Sequence, residues 1–302
     1  MLDYSVIIPF YNEEENIPPM LEKVSVAMNG IDGSYEIIAV DDGSSDATFS
    51  RLKEGKQKYP NLKIIKFRRN FGQTPAMQAG IDHASGGIII TMDGDLQNDP
   101  EDIHKLLEKM KEGYDVVSGW RKKRKDNILR CIPSKVANFL LTYVTGVKIH
   151  DNGCSLKVYN AKILKQVRLY SEMHRFITAF AFLRGAKVAE LVVKHHPRTL
   201  GVSKYGFSRI WKVFIDLFTL KLVLNFSERP MVWFGAMSFV SIFISMAMLF
   251  YRLIFWSSQI VWPGLILFFA FNAFVLLGYG LVCELAVHFA GRINYYGKGF
   301  DR

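Results

Sequence analysis

Cysteine is scarce in this chain: Cys131, Cys154 and Cys283 are scattered, odd in number, and the only ones in 302 residues. A disulfide framework needs pairs and a structural zinc site needs closely spaced ligands, so neither is expected, and a reducing compartment is implied. His150, His195 and His196 match no common metal-ligand spacing either. The first apolar stretch, Tyr4 to Phe10, is too short for a signal-peptide core and has no basic leader, so the N-terminal domain is expected to stay unexported. Internal repeats and low-complexity tracts are absent, and no Gly-x-Gly-x-x-Gly follows the first strand, which excludes a dinucleotide-binding Rossmann domain. Acidic residues are the minority sign, 28 against 38 Lys and Arg, for a net charge of +10. No stacking-aromatic or recognition motif accompanies that charge, so its partner is expected to be a lipid surface and not nucleic acid.

Charge is missing altogether from Met231 to Tyr251 and from Gly264 to Cys283. Each stretch can cross a hydrocarbon core of about 30 Å at roughly 1.5 Å per residue. The link between them, Trp256-Ser257-Ser258-Gln259-Ile260, is too short for a domain, so the two form a hairpin. Lys194, Arg198, Lys204, Arg209, Lys212, Lys221 and Arg229 precede it, and Arg292, Lys298 and Arg302 follow it. Flanking cations mark the cytoplasmic side, so an integral protein of the cell membrane is expected, with both termini and the N-terminal domain in the cytoplasm. From Phe207 to Leu224, Ile210, Trp211, Phe214, Leu217, Phe218 and Leu222 recur at helical spacing beside Lys212 and Lys221. This suits a helix lying in the membrane interface, although a packed core helix has the same period. Glu284 and His288, one turn apart in the second span, are assigned to snorkelling or helix pairing, and Arg252 to the interface.

Before the hairpin, β-branched runs alternate with helical stretches. Ser5 to Pro9, Tyr35 to Val40, Leu62 to Phe67, Gly87 to Met92 and Asp115 to Ser118 are predicted strands; Asn16 to Met28, Ala47 to Tyr59, Thr74 to Ala84 and Pro100 to Lys111 are predicted helices. Such strict succession predicts an α/β, mostly parallel sheet with helices on both faces. Residues 120 to 200 look less regular, with a helix near Lys135 to Thr145 and strand-like pieces at Ser155 to Tyr159 and Val188 to His195. The expected organisation is an α/β domain over 1–205, an amphipathic juxtamembrane region over 206–229 and the hairpin with a short tail over 230–302.

Five clusters at strand ends or in loops carry chemistry. Pro9-Phe10-Tyr11-Asn12-Glu13 follows the first strand, and Asp41-Asp42-Gly43-Ser44-Ser45-Asp46 the second. The acidic pair can accept from a nucleobase N–H and a ribose hydroxyl, Gly43 permits the turn and Asp46 can cap the next helix; alone, the segment would be an ordinary turn. Ile88 to Pro100, IIITMDGDLQNDP, is an apolar run stopping on Asp93 and Asp95, with Gln97 beyond. Two carboxylates one residue apart repel unless a cation lies between them, and Mg²⁺ or Mn²⁺ bridging a diphosphate supplies it. The competing assignment is an acidic helix N-terminus favoured by the dipole. Arg121, then Arg130 with Ser134 one turn later, offer forked donors and a hydroxyl for a phosphate monoester, whereas Lys122 to Lys125 read as a lipid-facing or solvated run. The fifth cluster, Arg198 to Gly206, holds Ser203 and Lys204 in a glycine-flanked loop able to close over a diphosphate or simply to link domain and membrane.

Taken in order, VIIPFYNEEENI, VDDGSSDAT, RNFGQTPAMQAGIDHASG, DGDLQNDPEDI, DNGCSLKVY and RTLGVSKYGFSRI, ending in a membrane hairpin, resemble the inverting GT-A-fold family 2 glycosyltransferases acting on polyprenyl phosphates. That group includes dolichyl-phosphate mannose synthases and bactoprenol glucosyltransferases, and the resemblance covers nearly the whole chain. It implies that Pro9, Tyr11, Glu13, Asp41 and Asp42 bind the donor nucleotide, and that Asp93, Asp95 and Gln97 hold the metal. It also implies that Arg121, Arg130 and Ser134 bind the acceptor phosphate, while Arg198, Ser203 and Lys204 belong to the closing loop. Asp93, Asp95, Arg121 and Arg130 would be the catalytic set. The implied partners are a nucleotide-diphosphate sugar, a polyprenyl phosphate lipid and the membrane; the hairpins also allow a homo-oligomer packed through them. Glucose from a UDP-sugar is the expected group, with mannose from GDP-mannose, an N-acetylhexosamine or a modified pentose as alternatives. One departure is that the Gly-Glu-Tyr-x-Gly-Arg signature of glucosyl-type relatives stands here as Val287-His288-Phe289-Ala290-Gly291-Arg292. A processive polysaccharide synthase would carry Gln-x-x-Arg-Trp, which is absent. A non-catalytic membrane-anchored binding protein would make the charged clusters decorative, and nucleotide-dependent Mn²⁺ binding separates it from an enzyme.

Overall fold

A computed structural model describes residues 2–122, 142, 146–147, 149–167, 169, 173–197, 229–255 and 261–290. The chain falls into two units, Met1–Leu217 and Phe218–Arg302.

The first unit is a seven-stranded sheet in the order β3-β2-β1-β4-β6-β5-β7. Its strands are β1 (Tyr4–Phe10), β2 (Tyr35–Asp41), β3 (Leu62–Lys66), β4 (Ile88–Thr91), β5 (Val116–Trp120), β6 (Lys157–Asn160) and β7 (Val188–Val192). The long helices are α1 (Ile17–Asn29), α2 (Thr48–Lys58), α3 (Gln73–His83) and α4 (Asp102–Lys111). Alternate side chains of one strand enter different cores, as strand geometry requires. Val6, Ile8 and Phe10 pack with Met20, Leu21, Leu52 and Leu106 on one face, while Ile7 packs with Ile38, Met77 and Ile81 on the other. Burial on both faces explains why β1 and β2 are nearly continuous apolar runs.

Strands β1 to β4 pair in parallel. After β1 the chain winds one way to β2 and β3, then returns past β1 to lay down β4. This makes the β1/β4 boundary a switch point, where crevices open at the carboxyl ends of the strands. β6 runs antiparallel to both β4 and β5, so the sheet is mixed. Thr91 faces Lys157 across that pairing, and Trp120 faces Val192 in the parallel β5/β7 pair. The start of β6 and the ends of β5 and β7 therefore meet the β1–β2–β4 carboxyl edge, which gathers segments far apart in sequence.

Between β6 and β7 the chain adds α5 (Ala161–Leu164), a 3-10 turn (Met173–Phe176) and α6 (Ile177–Leu183). These pieces are too short to print a period and are held by tertiary packing. The helix expected near Lys135 to Thr145 and the juxtamembrane region at 206–229 lie largely outside the described residues.

In the second unit, α7 (Pro230–Phe255) and α8 (Val261–Ala290) pair over their length. Both are long and apolar enough to cross a membrane. Ser238 Oγ donates to Ala273 O (2.7 Å) and Ser245 Oγ to Ile266 O (2.9 Å), so the small polar face of α7 is spent inside the hairpin. Phe239, Phe243, Phe250, Phe271 and Phe274 point outward, an apolar surface larger than water tolerates and suited to lipid. The expected pairing role of Glu284 is seen: its carboxylate accepts from Met231 N (3.1 Å) at the start of α7, where helix N–H groups lack partners.

Candidate active site

The loops after β1 and β2 are laced together by their own polar groups. Asn12 has φ 50, a left-handed conformation asparagine tolerates. Its N–H donates to Ser44 Oγ (3.0 Å) and its Oδ1 accepts from Ser45 N (2.9 Å). Glu13 N donates to Thr48 Oγ1 (2.9 Å), and Ala47 N to Glu14 Oε2 (2.7 Å). Asp46, expected to cap α2, does not: Ala47 is the N-cap and carries no side-chain cap, and Asp46 precedes it and forms a turn instead, its Oδ1 accepting from Thr48 N (3.0 Å). Pro9, Tyr11 and Glu13 line this edge half-buried.

The two neighbouring aspartates differ. Asp42 accepts from Asn70 Nδ2 (3.0 Å), Phe71 N (2.7 Å) and Gly72 N (2.8 Å), so its carboxylate anchors the loop leading into α3. Burial lifts its carboxyl above the ordinary range, against the pull of those donors. Asp41 is fully buried; Oδ1 accepts from Ser44 N (3.0 Å), and Oδ2 has no hydrogen-bond partner in the described residues. A buried oxygen at a sheet's ligand edge is a site for an incoming N–H or O–H. Gly43 between these loops has φ +66, and a Cβ there would stand 2.2 Å from the Arg69 carbonyl carbon, so only glycine lets the loops meet.

Asp93 and Asp95 follow β4 as predicted. Gln73 Nε2 donates to Asp93 Oδ1 (2.6 Å), and Asp93 N donates to Ser155 Oγ (3.1 Å). Burial first, and the Asp95 charge second, push the Asp93 carboxyl up to about 6, while the cations of Arg121 and Arg175 pull the other way. Leu96 sits at φ 59, an uncommon conformation that turns the chain between Asp95 and Gln97; Gln97 N donates to Asp95 Oδ1 (3.2 Å). Among the described residues no three His, Cys, Asp or Glu side chains cluster as a metal site. The pair nevertheless suits a divalent cation: two carboxylates one residue apart gain from a shared positive charge, and a diphosphate with water can complete an oxygen shell.

Arg121 reaches the same edge, but its guanidinium is clamped by Asp151, with Nε to Oδ2 at 2.8 Å and NH2 to Oδ1 at 3.0 Å. Asp151 holds that guanidinium charged despite its burial. Arg130, Ser134, Arg198, Ser203 and Lys204 lie outside the described residues. The histidines serve local contacts: His150 stacks on Trp120 and pairs with Glu190, and His196 pairs with Asp99. Cys154 is buried, and burial lifts its thiol to about 11, which leaves it inert. The sequence reading missed Gln73, Asp151 and Ser155 as site residues, although RNFGQT and DNGCSLKVY, which carry them, were singled out.

An open sheet with acidic loops on its carboxyl edge, joined by an antiparallel strand and a basic residue, defines the GT-A class of glycosyltransferase. The sequence profile described as "Glycosyl transferase family 2" matches residues 5–168, and the chain belongs to that family. It is 47% identical over 242 residues to a dodecaprenyl-phosphate galacturonate synthase of Rhizobium johnstonii, covering 78% of this chain and 71% of that protein. It is 35% identical over 294 residues to an undecaprenyl-phosphate 4-deoxy-4-formamido-L-arabinose transferase of Shewanella sediminis, covering 96% and 87%. Among solved structures, glucosyl-3-phosphoglycerate synthase of Mycobacterium tuberculosis, in complex with Mn²⁺, UDP and glucosyl-3-phosphoglycerate, shares the fold at a TM-score of 0.57 and 17% identity, covering 74% and 79% of the two chains.

Proposed function

We propose that this glycosyltransferase moves a sugar from a nucleoside-diphosphate donor, UDP-linked, to the phosphate of a membrane polyprenyl phosphate, inverting the anomeric centre. The hairpin anchors it in the cell membrane with the catalytic domain and both termini cytoplasmic. The reading rests on the convergence at one sheet edge of the open Asp41 oxygen, the Asp93/Asp95 pair and Arg121. Both relatives are named for transfer to polyprenyl phosphates, which supports the acceptor class. Glucose, expected from the hairpin, appears in neither name, so a modified sugar is the better assignment.

Pro9, Tyr11, Glu13 and Asp41 bind the nucleoside, while Asp42 supports them by holding the Asn70–Gly72 turn. Asp93, Asp95 and Gln97 would hold Mg²⁺ or Mn²⁺, whose positive charge would offset the charge of the donor diphosphate. Arg121, Arg130 and Ser134 receive the acceptor phosphate, and Arg198, Ser203 and Lys204 close on the donor. The nucleophile needs no base, because a phosphate monoester with a second pKa of about 6 is already anionic near neutral pH. Its oxygen bonds to the anomeric carbon as the bond to the nucleoside diphosphate breaks and that group leaves with the electron pair. The protein's task is to bring two anions together in a field of fixed positive charge.

Incubating the purified full-length protein with undecaprenyl phosphate, Mn²⁺ and a panel of nucleotide sugars should yield a glycosylated lipid identifiable by mass. Asp95→Ala should abolish the product while the variant still inserts and folds. Absence of lipid product from every donor would remove the acceptor assignment, and full activity of Asp95→Ala would remove the metal role.

A further inference from the structure

We propose that Glu190 is a positioning residue for the acceptor phosphate: it holds the backbone of His150 and Asp151, and through Asp151 it aims the Arg121 guanidinium. The inference rests on the glycosyl-transfer reading above, in which Arg121 receives that phosphate.

Glu190 lies on β7 opposite Ser118 of β5, in the parallel pair whose β5 member runs into Arg121. Its side chain is 9% exposed, and its carboxylate gathers the N–H groups of two consecutive residues. His150 N donates to both Oε1 and Oε2 (3.0 Å each), and Asp151 N donates to Oε1 (2.8 Å). Successive backbone N–H groups closed on one anion form a nest, here filled by the protein's own carboxylate, and it fixes the chain at the residue whose side chain must be aimed. His150 Nδ1 adds a further contact, 2.8 Å from Oε2, while the imidazole stacks on Trp120 with ring centroids 4.3 Å apart. That imidazole is 68% exposed, so its ion pair with Glu190 is worth little, and the backbone bonds carry the tether.

From the tether, order passes to Arg121. Asp151 Oδ2 accepts from Arg121 N (3.2 Å) and Nε (2.8 Å), and Oδ1 accepts from Arg121 NH2 (3.0 Å) and Gly153 N (3.1 Å). Both oxygens are committed, which fixes the plane of the Asp151 carboxylate and with it the plane of the guanidinium. With Nε and one NH2 hydrogen held, the other fork, NH1 with the second NH2 hydrogen, is the part that can meet a phosphate in two parallel bonds. Asp151 sets the direction of that fork, and Glu190 sets the place of Asp151. Without the carboxylate at 190, the two N–H groups must find water and the 150–151 turn loses its anchor.

Calorimetric binding of farnesyl phosphate, a short prenyl phosphate, to the full-length protein in detergent reads the acceptor site without any sugar, and UDP with Mn²⁺ reads the donor side. Glu190→Ala should weaken farnesyl phosphate binding about three- to tenfold, the size of one net hydrogen bond, while UDP binding stays at the wild-type value. Glu190→Gln keeps one acceptor oxygen, so it should fall between, and it serves if the Ala variant does not fold. Combining Glu190→Ala with Arg121→Gln should weaken binding no further than Arg121→Gln alone, because a tether acting through Arg121 then has nothing left to aim. Hydrogen–deuterium exchange across 149–153 should quicken in either Glu190 variant. Additive losses in the double variant, equal losses of farnesyl phosphate and UDP, or exchange at the wild-type rate would overturn the positioning role while leaving Arg121 as the acceptor residue. A wild type that binds no farnesyl phosphate, or an Arg121→Gln that binds it as tightly as wild type, would instead overturn the acceptor assignment, and this inference with it.

Discussion

Replacing Asp93 by Asn should stabilise the metal-free protein while destroying its response to metal. Asp93 carries a carboxyl raised from 3.8 to about 6, first by burial and then by the Asp95 charge. A raised carboxyl means that the fold favours the neutral form. The penalty is therefore absent below about pH 4, grows as pH rises through 6 and is complete above 7. Roughly two pH units correspond to at most about 3 kcal/mol, and half-burial with solvent screening reduces this to roughly 1–2 kcal/mol. Asn is nearly isosteric, can still accept from Gln73, and carries no charge to desolvate. Thermal unfolding of full-length protein in detergent with EDTA should show Asp93→Asn melting about 2–6 °C above wild type at pH 8, the gap closing toward pH 4.5. Adding Mn²⁺ with UDP should reverse the order, since ligand binding to the native state raises only the wild type. A variant that melts lower than wild type in EDTA, or a gap independent of pH, would refute the claim that Asp93 is held at electrostatic cost for a cation.

Asp151→Asn should cost about 3 kcal/mol, because it strands the Arg121 guanidinium, which is 14% exposed against a 4% exposed partner. Denaturant unfolding checks that figure, and acceptor KM should rise as Arg121 loses its orientation. Gly43→Ala should cost on the order of 2–4 kcal/mol, since a side chain at φ +66 would meet the Arg69 backbone. Its signature would be weakened UDP binding by calorimetry, because the Asp41–Asp42 turn must shift.

Much of the site was legible from local pattern. The strand and helix order through Trp120, the acidic pair after β4 and the hairpin all follow from contacts within a few residues or from a length of apolar chain. The roles of Asp41 and Asp42 were not, because both lie at the same strand end and only the return of the Asn70–Gly72 loop decides which carboxylate is occupied. Arg121 looked like a free phosphate fork, since its partner Asp151 lies 30 residues further along the chain. Gln73 and Ser155 lie in motifs that name no role for them, and Arg175 lies in none; they matter because α3, the β6 approach and the 3-10 turn close around Asp93.

By itself, then, the amino-acid order determined the alternation of strand and helix, the carboxylates ending β2 and β4 and the apolar hairpin, since periodicity, turn chemistry and hydrophobic length act over short spans. Tertiary structure alone decided that β6 enters antiparallel, that Asp151 claims Arg121 and that Asp93, Lys157 and Arg175 come to line one cavity. Those outcomes depend on which distant segments share one edge of a sheet, and no short-range pattern encodes that pairing.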